Sequence, residues 1–175
     1  ARTATTMPTP DFPGNSFGQG KNVPAIAMAH GIPYVATATV ADLHDLERKV
    51  RYAMSFHGAR YIHILVPCPL GWGAPSAKTI ELARLAHETG LFPVFEAEYG
   101  EVTNVSKIRR KQPVEKYLML QKRFAHLFGK KGNPEIVQRM QALADRNIAR
   151  YGLLGDEQGD DIPVPEQAEE RHHVI

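Results

Sequence analysis

The residue with the clearest capacity for chemistry is the single cysteine of the chain, Cys68. A thiolate is a strong nucleophile and a soft metal ligand, so it can serve a covalent mechanism or hold a metal such as iron. Pro67 and Pro69 flank it and restrict the backbone on both sides. A free cysteine is also a small apolar residue that is often buried. From the residue alone two interpretations stay open: packing in the core, or a thiolate that acts as a ligand or, with a histidine base nearby, as a nucleophile.

The other candidate residues carry weaker signals. The eight histidines show no HExxH pattern, and one cysteine with scattered histidines argues against a zinc site built by this chain alone. We interpret His63 as a hydrogen-bonded core histidine. The basic cluster at residues 107–111 (KIRRK) is typical of a solvated surface, with a dock for an acidic partner or for ligand phosphates as the alternative. The sequence has no Walker, GxGxxG or GxSxG motif.

The elements predicted around Cys68 form a strand–helix–strand unit. Residues 61–66 (YIHILV) are an almost unbroken apolar run, which predicts a strand buried on both faces, as in a parallel sheet. Residues 34–39 (YVATAT) predict a second strand, and residues 41–56 predict the helix between them. Four apolar residues of that helix lie on one face: Leu43, Leu46, Val50 and Met54. Cys68 is therefore expected at the carboxyl end of a central strand, where open α/β sheets bind ligands.

The remaining chain predicts further helices and one hairpin. Proline and Ser/Asn caps predict helices that begin near Pro24, Ser76, Pro113 and Asn133. Residues 91–99 and 102–108 predict a small β-hairpin. Together these patterns indicate an α/β fold: a three-layer, mostly parallel sheet flanked by helices, with a small β-hairpin and C-terminal helices.

Composition limits the class of protein. The chain has 175 residues and a formal net charge of +2, so its charge gives no argument for a nucleic-acid partner. It has no apolar stretch near the roughly 20 residues that a membrane helix needs, and we expect no membrane partner. A single cysteine excludes an internal disulfide and agrees with a cytoplasmic location.

Four stretches carry a resemblance to a known family. AHGIPYVATATV, YIHILVPCPLGW, SAKTIELARLAHETGLFPVFEAEYG and KQPVEKYLMLQKRFAHL occur in this order. They resemble the C-terminal half of the thiamine-diphosphate (beta) subunit of 2-oxoacid:ferredoxin oxidoreductases, of which pyruvate synthase is the best-known member. The resemblance implies that residues 1–128 form the C-terminal portion of a thiamine-diphosphate-binding domain. The resemblance does not extend to the last helix and the tail: from their residues we expect an additional helix in residues 129–154 and an extended acidic tail in residues 155–175.

The resemblance also implies a reaction and its cofactors. A 2-oxoacid is decarboxylated on thiamine diphosphate with Mg²⁺, electrons leave through [4Fe-4S] clusters to a ferredoxin-type acceptor, and coenzyme A takes the acyl group. In relatives that carry a cluster in this subunit, the cysteine at the position of Cys68 is one of its four thiolates. Cys68 is therefore expected to be a cluster ligand.

This chain departs from the family pattern in what it lacks. It supplies one thiolate where a [4Fe-4S] cluster needs four, and it has no GDG segment for Mg²⁺ and diphosphate. We expect other polypeptide, in the form of other subunits or a longer chain, to complete the site, and we expect no activity from this chain alone. The alternative is a non-catalytic assembly or docking module in which Cys68 is merely buried. The sequence does not choose among 2-oxoacids.

Overall fold

The computed structural model describes residues 21–130 and 132–155. Thr3 to Pro10, Lys131 and the acidic residues beyond Gly155 lie outside the described residues. The helices and strands follow one another along the chain in this order: α1 (Val23–Ala29), β1 (Tyr34–Thr39), α2 (Leu43–Ala53), β2 (Arg60–Leu65), α3 (Pro69–Trp72), α4 (Thr79–Glu88), β3 (Phe95–Glu98), β4 (Glu101–Val105), α5 (Val114–Met119) and α6 (Pro134–Tyr151), with 3₁₀ helices at Ser76–Lys78 and Lys122–Leu127. No helix in the described ranges is both long enough and apolar enough to cross a bilayer.

The strands form a mixed sheet with helices on both faces. Their order is β2-β1-β3-β4. Val35 packs with Ala27 of α1 on one face, whereas Tyr34 and Ala36 pack with Ala53 of α2 on the other. The predicted α/β class and its layered arrangement of helices and sheet are therefore confirmed.

The sheet differs from the predicted one in strand direction. Among the described strands β1 and β2 are parallel, but β3 is antiparallel to β1 and β4 is antiparallel to β3. The last pairing has a local cause, because the short turn at Tyr99 and Gly100 permits only an antiparallel hairpin. β3 also enters beside the end of β1: the Thr37 hydroxyl donates to Pro93 O (2.8 Å) and accepts from Phe95 N (2.9 Å).

The most buried strand is β1, and not β2 as predicted. All six residues of β1 are buried, whereas β2 is an outer strand of the described sheet and none of its residues is fully buried. Ile64 is 40% exposed and Val66, just after the strand, is 57% exposed. The apolar run therefore predicted the strand correctly. It did not predict that β2 is only partly buried within the described part of the chain.

The helix α2 does not bury all of the apolar face that its amphipathic pattern predicted to pack inward. Leu43 is 65% exposed and Met54 is 69% exposed, while Lys49 is only 1% exposed. The Lys49 ammonium donates to the carbonyl oxygen of Thr37 (2.9 Å) and to the carboxylate of Asp45 (2.6 Å). A buried charge is tolerated when it is paired and hydrogen-bonded in this way.

A second buried charge ties α2 to the sheet. Glu96 on β3 is 3% exposed and accepts hydrogen bonds from Arg48 (2.6 and 3.1 Å), Tyr34 (2.6 Å) and Asn104 (2.9 Å). Burial opposes ionisation of this carboxyl, but the hydrogen bonds from Arg48, Tyr34 and Asn104 outweigh burial and lower its pKa to about 2. Burial and the neighbouring Glu96 raise the pKa of Tyr34, so that hydroxyl stays a donor.

The helices α4, α5 and α6 form a separate apolar cluster beside the sheet. Its buried members include Leu82 and Ala86 of α4, Leu118 of α5, and Val137 and Ala144 of α6. As predicted, α6 begins at the cap Asn133, whose side chain accepts from Ile136 N (3.2 Å), and it ends at Gly152. At the end of α4, Gly90 has a φ of +79°, and a Cβ there would lie 2.7 Å from Ile148 and 2.9 Å from Ala144 O.

The Glu96 network predicts a pH-dependent loss of stability. Replacing Glu96 with Gln should lower the free energy of unfolding at pH 7 by on the order of 2–3 kcal/mol. The folded-state pKa of Glu96 is depressed from 4.5 to about 2, so its contribution is present above pH 4.5 and disappears as the pH falls towards 2. Urea unfolding at several pH values should therefore show the difference between wild type and variant shrinking below pH 4.5. A difference that stays constant down to pH 2.5 would contradict this account, and Glu47→Gln on the exposed face of α2 is the control.

The close approach at Gly90 predicts an unequal effect of two glycine substitutions. Gly90→Ala should destabilise the chain by about 2–4 kcal/mol, because the new methyl group would overlap α6. Gly31→Ala is the control: Gly31 also has a positive φ (+65°), but a Cβ there meets nothing within 4 Å, so it should cost only about 1–2 kcal/mol. Equal losses of stability in thermal or urea unfolding would show that the packing of α6 on Gly90 is unimportant.

Candidate functional site

Cys68 lies just past the end of β2, where the chain turns into α3. Its side chain caps this four-residue helix: Gly71 N donates to Sγ at 3.3 Å. Its carbonyl oxygen also accepts from Trp72 N at 2.9 Å. A Cβ on Gly71 would lie 3.2 Å from Sγ, so glycine gives the sulfur room at this position. Both the carbonyl oxygen and the sulfur of Cys68 therefore accept hydrogen bonds from the helix that follows, and these bonds fix the position of the sulfur.

The Cys68 thiol is exposed. The interpretation of Cys68 as a buried packing residue is therefore wrong for the described part of the chain. Leu70, two residues later, is 96% exposed, so the loop presents a sulfur beside an uncovered apolar side chain. This arrangement leaves Sγ open to bind a metal or to react, and the ligand role of Cys68 stays a prediction.

The 3₁₀ helix Lys122–Leu127 is held against the Cys68 loop. Lys122 N donates to Gly73 O at 3.2 Å, and a Cβ on Gly73 would lie 2.7 Å from the Lys122 side chain. Gly73 has a φ of +62°, a conformation that glycine adopts without strain. Ala74 N donates to Pro69 O at 2.9 Å and closes the turn. The loop is thus fastened at its far end as well as at Cys68.

Arg123, on the 3₁₀ helix, was not among the candidates from sequence, but its side chain packs against the Cys68 loop. Its Cζ is 4.1 Å from the ring centroid of Trp72 and 4.7 Å from that of Phe124. Its Nε donates to Oε1 of Gln121 at 2.9 Å, and the buried Gln121 donates to Tyr117 O at 2.7 Å. Burial lowers the pKa of Arg123, an effect that the nearby Tyr117 and Cys68 oppose. Apart from the adjacent Lys122, no sequence pattern marks Arg123, because residues 117–127 carry an apolar stripe.

The described residues offer no second ligand set. Within residues 21–130 and 132–155, no group of three or more His, Cys, Asp or Glu side chains is placed to hold a metal ion. His63, on β2, is half-buried and its Nδ1 lies 2.9 Å from the Tyr61 hydroxyl, as expected for a hydrogen-bonded histidine. Burial lowers the pKa of His63, which favours the neutral ring. Cys68 is therefore the one predicted site residue that the described geometry leaves open for a ligand.

The basic cluster at 107–111 is exposed at its charged positions, as predicted for a solvated surface. Two of its residues are also structural: Lys107 donates to Gly152 O (2.7 Å), and Lys111 pairs with Asp145 (2.8 Å). Ile108 is buried between them and its N–H donates to Leu153 O at 2.7 Å. The cluster therefore helps to hold the end of α6, and it does not lie on the Cys68 loop.

Several known proteins are similar in sequence to this chain. The chain is 49% identical over 141 residues to the PorB subunit of pyruvate synthase from Methanosarcina barkeri, covering 79% of this chain and 48% of that subunit. It is 36% identical to the corresponding subunit from Pyrococcus furiosus, covering 93% of this chain and 52% of that subunit. It is 42% identical to the ketoisovalerate oxidoreductase subunit VorB from Pyrococcus abyssi, covering 68% of this chain and 38% of that subunit.

No family model matches the sequence. The chain spans about half the length of these curated pyruvate synthase subunits. The identities extend over most of this chain and agree with the resemblance carried by its four sequence stretches. The chain belongs to the family of beta subunits of 2-oxoacid:ferredoxin oxidoreductases.

Proposed function

We propose that this chain is part of a 2-oxoacid:ferredoxin oxidoreductase, in which Cys68 is one ligand of a [4Fe-4S] cluster. The enzyme would convert a 2-oxoacid and coenzyme A to acyl-CoA and CO₂ and pass the electrons to a ferredoxin-type acceptor. The observation that carries the proposal is an exposed, hydrogen-bonded thiol in a chain whose relatives are named as subunits of pyruvate synthase and ketoisovalerate oxidoreductase.

The residues of the Cys68 loop fit one corner of such a cluster. A cluster is held by four thiolates, and Cys68 is the only cysteine of the chain, so the other three must come from other polypeptide. Sγ is exposed and already accepts the N–H of Gly71, and hydrogen bonds to the sulfurs are one of the features that tune these clusters. The cluster supplies one-electron transfer when it is bound.

The chain's own residues would position the sulfur. Pro67 and Pro69 restrict the backbone on each side of Cys68, and the N–H of Gly71 directs a partial positive charge at Sγ. This donor stabilises a negatively charged sulfur. The same contact fixes the side-chain direction, so little conformational freedom is lost when the thiolate binds iron.

Thiamine diphosphate and Mg²⁺ would be bound mainly by other polypeptide. The described residues bring no ligand group together for a metal ion, so we assign no residue of this chain to either. Thiamine diphosphate supplies the chemistry of decarboxylation when it is bound. This chain would therefore contribute the electron-transfer side of the site.

The organisation of the chain follows the same proposal. We assign residues 1–128 to the C-terminal portion of a thiamine-diphosphate-binding domain, residues 129–154 to an added helix, and residues 155–175 to an acidic tail. The helix α6 supports this assignment by packing Val137 and Ala144 into the apolar cluster of α4 and α5. Other subunits of a cytoplasmic complex would be its partners, and the exposed apolar residues of α2 suit such contacts.

Replacing Cys68 tests the proposal in the intact, purified oxidoreductase assembly. Cys68→Ala should remove one cluster, measured as a loss of about four iron atoms and four acid-labile sulfides per copy of this chain. Reduction of ferredoxin should fall by at least two orders of magnitude, because electron transfer through that cluster is lost. Ser55→Ala, at an exposed position just after α2, is the control and should retain both.

The alternative, a docking module without a cluster, makes the opposite prediction. A Cys68→Ala assembly with unchanged iron and sulfide and a normal rate of ferredoxin reduction would refute the cluster assignment. The same result would favour a role of this chain in assembly alone. Analysis of the wild-type assembly for iron and thiamine diphosphate gives the reference values for both measurements.

A further inference from the structure

Among the arginines of the described residues that form no ion pair, Arg123 alone is partly buried. Arg48, Arg51 and Arg139 each form an ion pair with a carboxylate. Arg123 forms none with any carboxylate of the described residues, although its side chain is only partly exposed. Removing a charge from water without an opposite charge is unfavourable. No carboxylate of the described residues therefore offsets the charge of Arg123.

The protein nevertheless holds this cation in one place. The faces of Trp72 and Phe124 contact the guanidinium, and Gln121 accepts a hydrogen bond from its Nε. Gln121 is itself 1% exposed and is fixed by its own bond to Tyr117 O. Rigid placement of an arginine on an aromatic face is typical of a site that meets an anion.

The same contacts connect Arg123 to the sulfur of Cys68. Trp72, on which the guanidinium stacks, belongs to the four-residue helix that Cys68 caps. The neighbouring Lys122 is bonded through its backbone to Gly73 at the end of that helix. Burial lowers the pKa of Arg123, and the nearby Cys68 acts in the opposite direction. The cation and the sulfur therefore sit on one rigid unit.

We propose that Arg123 is the counter-charge of the anionic group bound at Cys68 and raises the reduction potential of that group. This inference rests on the proposed function, since it takes the group to be a [4Fe-4S] cluster. Such a cluster would take one electron at a time from the oxidation of the decarboxylated 2-oxoacid and pass it to the acceptor, so its reduced form would be more negative by one charge. A fixed cation nearby stabilises the more negative, reduced form more than the oxidised form. Arg123 acts through its charge and is not a ligand.

The test is a redox titration of the intact holo-assembly, followed by electron paramagnetic resonance. Arg123→Gln should bind the full complement of iron and show a more negative midpoint potential. We expect the ratio of reduced to oxidised cluster at a fixed potential to fall by about tenfold, which corresponds to about 59 mV for a one-electron couple. Arg123→Lys keeps the charge and should retain most of the wild-type potential.

A control variant and a replacement variant complete the test. Arg146→Gln removes an exposed arginine of α6 and should leave the potential unchanged. If the glutamine variant does not assemble, Arg123→Met replaces it, because its unbranched side chain can keep the contact with Trp72. An unchanged potential in a fully loaded Gln or Met variant overturns the inference, and so does an equal shift in Arg123→Lys. Both results leave the cluster assignment intact, whereas a wild-type assembly without a cluster at Cys68 defeats the proposed function itself.

Discussion

The candidate site depends on a one-turn helix that is closed at both ends. At its start the Cys68 sulfur accepts the N–H of Gly71, and at its end Gly73 adopts a positive φ and accepts the N–H of Lys122. So short a helix has almost no intrinsic stability. Its shape is therefore set by proline, glycine and these end contacts, and the orientation of the sulfur follows from them.

The rest of the fold supports that loop from two sides. On the sheet side, β2 is anchored to the buried strand β1 over six paired residues. The helix α2 is tied to β1 through Lys49 and to β3 through Glu96. On the helical side, Leu65 and Trp72 pack against the apolar cluster of α4, α5 and α6. The loop thus lies between two rigid parts of the structure, which explains how an exposed cysteine can still be well positioned.

Local sequence patterns predicted where helices and strands form, but they predicted less well which of their residues are buried. The strand at 34–39 and the helix from Asn133 to Gly152 match the structure closely, because β-branched residues and paired caps are local signals. The exposure of β2 and the outward face of α2 could not be predicted. Both depend on what lies opposite them, and in α2 a lysine is buried because the carbonyl oxygen of Thr37, on β1, accepts a hydrogen bond from its ammonium group.

The candidate site shows the same division. Cys68 and its flanking prolines are visible in the sequence as a rigid thiol, but its exposure and its bond to Gly71 are not. Arg123 was missed because Tyr117, Phe124 and Leu127 suggest one continuous apolar helix. In the structure the helix α5 ends at Met119, and a 3₁₀ helix begins at Lys122. This change of direction places the Arg123 guanidinium on the ring of Trp72. The contacts at this point, from Gln121 to Tyr117 O and from Lys122 N to Gly73 O, are tertiary or side-chain contacts that an apolar periodicity does not predict.

The central claim is that the Cys68 sulfur bonds to iron in the complete assembly. Anomalous diffraction at the iron absorption edge, from crystals of the holo-complex, tests it most directly. The account predicts an iron peak within bonding distance of Sγ, with three further iron atoms beside it and Arg123 facing the group. A well-ordered Cys68 whose sulfur has no iron within bonding distance, in an assembly that retains its other cofactors, would contradict it.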